Sequence, residues 1–240
     1  MKSATPLWKK VIWETLQKNI QSVGLDCCCM SLGLAGPSVR TVVFRGFAGE
    51  NHREELGWQS DCIVVTTDRR SQKMQAIQQD PSYEICWYMR GTQEQFRLRG
   101  QVYAYPPLPN NTDMASTLPK VHRKQHVSLP KADELEMMGN KAFTILCQKN
   151  EHHGEEEFDW EAERRRQFAL LEDTTRATFS TKQPPSTTLP IIGLDNQGWF
   201  VSPDQEDFNR AYENFCILIF TVKEMDYLSL VGGVHKLYKA

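Results

Sequence analysis

No stretch of this sequence is apolar enough to form a membrane-spanning helix. The longest uninterrupted run, Phe215-Cys-Ile-Leu-Ile-Phe220, has six residues where about 20 are needed. The start of the chain lacks the apolar core and small-residue cleavage site of a secretory leader, so none is expected. An excess of one charge is lacking too. The 28 Lys and Arg stand against 30 Asp and Glu, a formal net of −2, which asks for neither a nucleic-acid nor a membrane partner. The seven cysteines are odd in number, three of them adjacent at Cys27, Cys28 and Cys29, and no Cys-x-x-Cys pair occurs. That pattern argues against a disulfide framework and for a reducing, cytoplasmic compartment. Missing as well are G-x-G-x-x-G, the Walker A loop, the G-x-S-x-G elbow and H-E-x-x-H. His122 and His126, and the adjacent His152 and His153, have no companion Cys or Asp at zinc-ligand spacing. No metal site is expected.

What is present is ordinary globular composition over 240 residues, 40% hydrophobic and 24% charged, long enough to bury a core without staples. Trp8, Val11, Ile12, Leu16 and Ile20 recur three and four apart, which predicts an amphipathic helix over 6–20. A β-rich half follows, with strands expected at 25–34, 39–47 and 63–67 and a hairpin of 83–88 with 93–105. Residues 48–61 read as a polar hairpin loop. Residues 68–80 read as a short helix, capped by Asp68 and stopped by Pro81. Beyond Tyr105 the periodicity degrades, and about 106–157 reads as a poorly structured insertion. A helix over 158–179, a buried strand over 215–222, a weaker one over 226–231 and a glycine-started tail over 232–240 complete the chain. Strands without strict alternation with helices predict a mainly β (α+β) architecture, an antiparallel barrel or sandwich with peripheral helices, as one domain over 1–240.

The chemistry concentrates between Arg40 and Gly100. Two guanidinium groups, Arg40 and Arg45, sit within one apolar strand, Arg40-Thr41-Val42-Val43-Phe44-Arg45. Arginines in such company need an anion. Thr66 and Thr67 end the next strand, and Ser71, Gln72 and Lys73 fall in the first turn of the following helix. A hydroxyl, a lysine and free amides at a helix start form a phosphate site. Gln95, Arg97 and Arg99 then alternate with Phe96 and Leu98. The bland alternative is a surface strand whose arginines face water. Arg40 and Arg45 differ by an odd number, so either a bulge intervenes or they serve different ligands.

These three segments, with Glu94-Gln95-Phe-Arg-Leu-Arg-Gly100 as the last, resemble the pyridoxamine/pyridoxine 5'-phosphate oxidase family, nearest to its smaller oxidase-like branch. The resemblance covers roughly 6–105 and implies a homodimeric split β-barrel binding flavin mononucleotide (FMN). It implies that Arg40, Thr41, Val42, Val43, Phe44 and Arg45 line the FMN phosphate and ribityl chain, that Thr66 and Thr67 meet the flavin, and that Ser71, Gln72 and Lys73 hold its phosphate. Gln95 would reach the ring or ribityl region, and Arg45 the substrate phosphate. The tail Gly232-Gly-Val-His-Lys236-Leu-Tyr238-Lys-Ala240 echoes the family's ending, which implies substrate contacts for Lys236 and Tyr238. The implied activity is FMN-dependent oxidation of pyridoxamine or pyridoxine 5'-phosphate. A divergent flavoprotein with another substrate, or a non-enzymatic interaction module, are the alternatives. Gln72 stands where the family has Arg, Leu228 where it has Trp, Lys236 where it has Arg, and Ala240 where it has a final Arg. Arg176 is an unaligned candidate for the substrate phosphate.

Overall fold

The computed structural model describes residues 5–50, 58–107, 118–123, 158–185 and 205–239. Helix α1 (Leu7–Val23) opens the chain, with Trp8, Ile12 and Leu16 on its buried stripe. It runs three residues beyond the expected end and stops at Gly24, whose φ of 72° suits a residue without a side chain. A 3-10 turn (Gly24–Cys28) follows, so the strand expected from 25 begins only at Cys29. The turn places the Cys27 carbonyl 2.6 Å from the buried Trp87 indole N–H, which donates to it.

Six strands close a barrel. In ring order these are β4 (Cys62–Asp68), β2 (Ser38–Phe47), β1 (Cys29–Leu34), β5 (Ser82–Met89), β6 (Glu94–Tyr105) and β8 (Phe215–Ser229), with β8 returning to β4. All pairings are antiparallel. The 15 residues of β8 make closure possible: its first half pairs with β4 and its second half with β9 (Val234–Lys239), while β6 runs along both. The two strands expected over 215–222 and 226–231 are therefore one, and the expected tail is a strand. A small side sheet joins β3 (Trp58–Gln59) to β7 (His122–Arg123), within what read as a loop and an insertion. The remainder of the expected insertion, apart from 118–123 and 106–107, lies outside the described residues.

Two glycines set the curvature. Between Phe44↔Val65 and Phe47↔Ile63, β2 carries one more residue than β4, and Gly46 in that bulge has φ 112°. At Gly100, beside the β6–β8 irregularity, an added Cβ would lie 1.8 Å from the Thr221 carbonyl oxygen. Only glycine permits that approach.

Helix α2 (Gln72–Gln79) follows β4, and α3 (Trp160–Ala169), α4 (Asp173–Phe179) and α5 (Gln205–Asn214) precede β8. The helix expected over 158–179 is thus two, divided around Leu170–Glu172, and α5 escaped the sequence pattern. Two cores result. One fills the barrel beneath α1, with Leu32, Phe44, Ile63, Trp87, Phe96 and Leu218 among its members. The other lies outside the barrel, where Val64, Ile217 and Ile219 of β4 and β8 meet Phe168, Phe179 and Phe208 of α3, α4 and α5. Because β4 and β8 are buried on both faces, their sequences are continuous apolar runs; the other strands alternate.

Candidate functional site

Strand alternation divides the candidate residues between two faces. Val42 and Phe44 point into the barrel core, and Arg40 shares their parity; Thr41, Val43 and Arg45 point outward. The same rule sends Thr67 inward with Ile63 and Val65, and Thr66 outward. Arg40 and Arg45 therefore serve different surroundings, the second of the two possibilities the sequence left open. The bulge between Phe44 and Phe47 includes Arg45 itself, yet Arg45 still reaches Thr66 on the outer face, so the bulge does not reunite the two arginines.

At the inner site, Lys73 reaches back from the first turn of α2. Its Nζ donates to Thr67 Oγ1 at 2.7 Å and to Ser71 Oγ at 3.3 Å. Ser71 is the helix N-cap by position, yet its side chain makes no capping hydrogen bond, being turned toward Thr67 and Lys73. The first amides of α2 are thereby left open to an anion. Arg40 donates through Nη2 to Ser38 Oγ at 2.6 Å, while its buried Nε has no partner. Among the described residues neither cation forms an ion pair with a carboxylate. Burial, and then the Arg40 guanidinium, push the Lys73 ammonium below the ordinary lysine range; Asp68 and Cys216 oppose this. Arg40 acts electrostatically on Lys73, which holds the hydroxyls of Thr67 and Ser71 at an open helix start, and the one carboxylate that acts on Lys73, Asp68, is taken up by Arg70. Gln72 is exposed, on the solvent side of α2.

The sequence reading missed what holds this turn. Asp68 does not cap α2. It accepts from the Arg70 backbone N–H at 2.8 Å and forms a two-pronged pair with the Arg70 guanidinium, Nε to Oδ1 at 3.0 Å and Nη2 to Oδ2 at 2.7 Å. Arg70 Nη1 also donates to the Thr181 carbonyl at 2.7 Å, just past α4. The Asp-x-Arg spacing was visible; its distant partner Thr181 was not.

On the outer face, Arg45 Nε donates to Thr66 Oγ1 at 3.3 Å. Burial lowers its guanidinium pKa, opposed by the nearby thiols Cys28 and Cys29 and by Glu172. Gln95 also points outward, paired in register with Tyr88 and Leu228. Three strand steps, about 14 Å along the sheet, separate β2 from β6. Lys236 and Tyr238 lie on the opposite face of β9 from His235, with Tyr238 packed against the barrel core and Tyr227. His235 Nε2 instead lies 2.6 Å from Asp226 Oδ1. One chain thus assembles Arg40, Thr67, Ser71 and Lys73, pairs Arg45 with Thr66, and leaves Gln95, Lys236 and Tyr238 apart from both. Arg176 is buried between α3 and α4, paired with Asp173 and donating to the Ala169 carbonyl, with its Nε left without a partner. Ala240 lies outside the described residues.

Comparison with known proteins falls on this same part of the chain. Residues 5–106 match the family model described as pyridoxamine 5'-phosphate oxidase, FMN-binding domain. Over 97 residues the chain is 39% identical to pyridoxine/pyridoxamine 5'-phosphate oxidase 2 of Arabidopsis thaliana, covering 40% of this chain and 44% of that protein, under half of its length. An uncharacterised protein of Saccharomyces cerevisiae is 24% identical, over 82% of this chain and 79% of its own. Among solved structures, a pyridoxamine 5'-phosphate oxidase-related, FMN binding protein from Nostoc punctiforme superposes with a TM-score of 0.57 at 22% identity, covering 100% of this chain and 93% of that one; it shows the same fold. No helix among the described residues is long and apolar enough to cross a membrane. Residues 5–106, which contain the whole Arg40–Thr67–Ser71–Lys73 cluster, are thus the part of the chain that is similar to the FMN-binding domain of pyridoxamine 5'-phosphate oxidase.

Proposed function

We propose that the chain is an FMN-dependent oxidase of pyridoxamine or pyridoxine 5'-phosphate, working as a homodimer, with the cofactor phosphate at the head of α2. One observation carries the reading. Arg40 lies near enough to Lys73 to lower its pKa, neither cation forms an ion pair with a carboxylate among the described residues, and Arg40 Nε is buried without a partner. A phosphate ester fits this donor set: it takes charge-assisted hydrogen bonds from both cations and accepts from the open amides of α2. When bound, FMN supplies the two-electron acceptor that no side chain provides. The chain's own residues hold and orient. Arg40, Ser71 and Lys73 anchor the phosphate, and Val42 and Phe44, whose side chains are core, stiffen the strand that carries Arg40. Arg45 and Thr66 form a second polar site on the outer face, suited to a phosphorylated substrate.

The homodimer is supported by what the barrel leaves uncovered. Outward residues of β2, β5 and β9 include Val39, Tyr88 and Leu237, respectively 73%, 48% and 56% exposed. A second copy laid on that face would bring a further set of outward residues, Gln95 included, toward Arg45 and Thr66. Titration of purified protein with FMN, followed by oxidase turnover on pyridoxamine 5'-phosphate, tests the reading. Flavin binding with turnover supports it. Flavin binding without turnover of either B6 phosphate favours the divergent-flavoprotein alternative, and no flavin binding removes both.

A further inference from the structure

The turn that presents Ser71 and Lys73 is held from outside the matched segment. Arg69 N–H donates to the Asn214 carbonyl at 2.8 Å at the end of α5, and Ser71 N–H donates to the Asp68 carbonyl at 3.1 Å. Arg70 ties the turn to Thr181. The end of α4 is itself fastened to α5, since Asn214 Nδ2 donates to the Phe179 carbonyl at 2.8 Å. The Asp68 side chain is 8% exposed and bears a negative charge close enough to Lys73 to raise its pKa. Left unpaired, that carboxylate would compete for Lys73 and repel an incoming phosphate. The Arg70 fork takes both of its oxygens.

We propose that Arg70 is a positioning residue that withdraws the Asp68 charge from the anion site and locks the Asp68–Ser71 turn to the Thr181 carbonyl, making phosphate affinity depend on the helical segment beyond the matched domain. It rests on the reading of that site as a phosphate site. The bidentate geometry is what gives the restraint: a lysine would supply charge but not the two-oxygen grip and the third bond to Thr181.

The test titrates the full-length chain with FMN and, in parallel, with riboflavin, which lacks the phosphate. Arg70→Ala should weaken FMN roughly 10-fold, the low end for losing a charge-assisted contact, while leaving riboflavin binding unchanged. Asp68→Asn should bind FMN at least as tightly as wild type, because its oxygen still accepts from the Arg70 N–H. The Asp68→Asn/Arg70→Ala double variant should recover the part of the loss that comes from the freed Asp68 charge and keep the part that comes from the lost tie to Thr181. Equal losses of FMN and riboflavin in Arg70→Ala, no loss of either, no recovery in the double variant, or weaker FMN binding by Asp68→Asn would each overturn the proposal. Asp68→Asn keeps the test open should Arg70→Ala not fold. A wild type that binds FMN no better than riboflavin would refute the phosphate site itself, and this inference with it.

Discussion

The outer surface of one barrel is treated in two ways. Along β4 and β8 it is sealed: Val64, Ile217 and Ile219 are fully buried beneath α3, α4 and α5, and Phe215 sits among the rings of Phe168 and Phe179 at 5.1 and 5.3 Å. Along β1, β2, β5, β9 and the first half of β6 it is bare, with exposed Ser31, Thr41, Arg97 and His235 between isolated apolar side chains, while Tyr103 and Tyr105 of β6 join the sealed side. Both halves obey the same alternation and fill the same barrel interior. The difference shows that strand sequence records what covers a face: double burial makes a continuous apolar run, single burial an alternating one. The bare half presents polar residues that a ligand or a second subunit can reach, some of them, such as His235 and Arg99, already paired with carboxylates within the chain.

Breaking the sealed half should cost most. Phe215→Ala removes a ring packed against two helices and is expected to lose about 3–5 kcal/mol of folding free energy in chemical denaturation. The anion site comes next. Lys73→Ala or Arg40→Ala should weaken FMN binding by about 10–100-fold with little change in folding.

Protonation sharpens the same point. Burial and Arg40 hold Lys73 below its ordinary pKa in the folded chain, so the unfolded chain binds more protons in the window between the two values. In the ligand-free protein the resulting penalty is fully present below the folded pKa and disappears as pH rises to the unfolded one, so stability climbs through that alkaline window. FMN affinity should fall across it, because neutral Lys73 no longer attracts phosphate. Parallel melting and flavin titrations against pH, with Lys73→Met as the flat control, check both signs.

On the bare half, Leu237→Asp should leave folding within about 0.5 kcal/mol of wild type while shifting the molar mass in light scattering from dimer to monomer. The smallest effect belongs to Arg99, which bridges Glu84 and Glu224 at 2.9 and 3.0 Å in the open. Arg99→Ala should cost less than about 1 kcal/mol, and less still at high salt.

Much of this contrast was legible in the residues. The period of Trp8, Ile12 and Leu16 located α1, and β-branched and aromatic runs located the barrel strands. The odd spacing of Arg40 and Arg45 raised the question of separate faces but left a bulge as the alternative, and only the structure answers it. Other features were hidden for physical reasons. The 3-10 turn at Cys27–Cys28 is apolar enough to pass for strand. The α3–α4 break carries no glycine or proline, and α5 has only Phe208 and Ala211 as buried positions. The Arg70–Thr181 link joins residues 111 apart, beyond any local pattern.

The central claim is that the Arg40–Ser71–Lys73 cluster is a cofactor phosphate site, and the affinity gap between FMN and riboflavin measures it most directly. Wild type should bind FMN at least about 10-fold more tightly than riboflavin, and the gap should close in Arg40→Ala. Equal affinities in wild type, or a gap that survives Arg40→Ala undiminished, would contradict it.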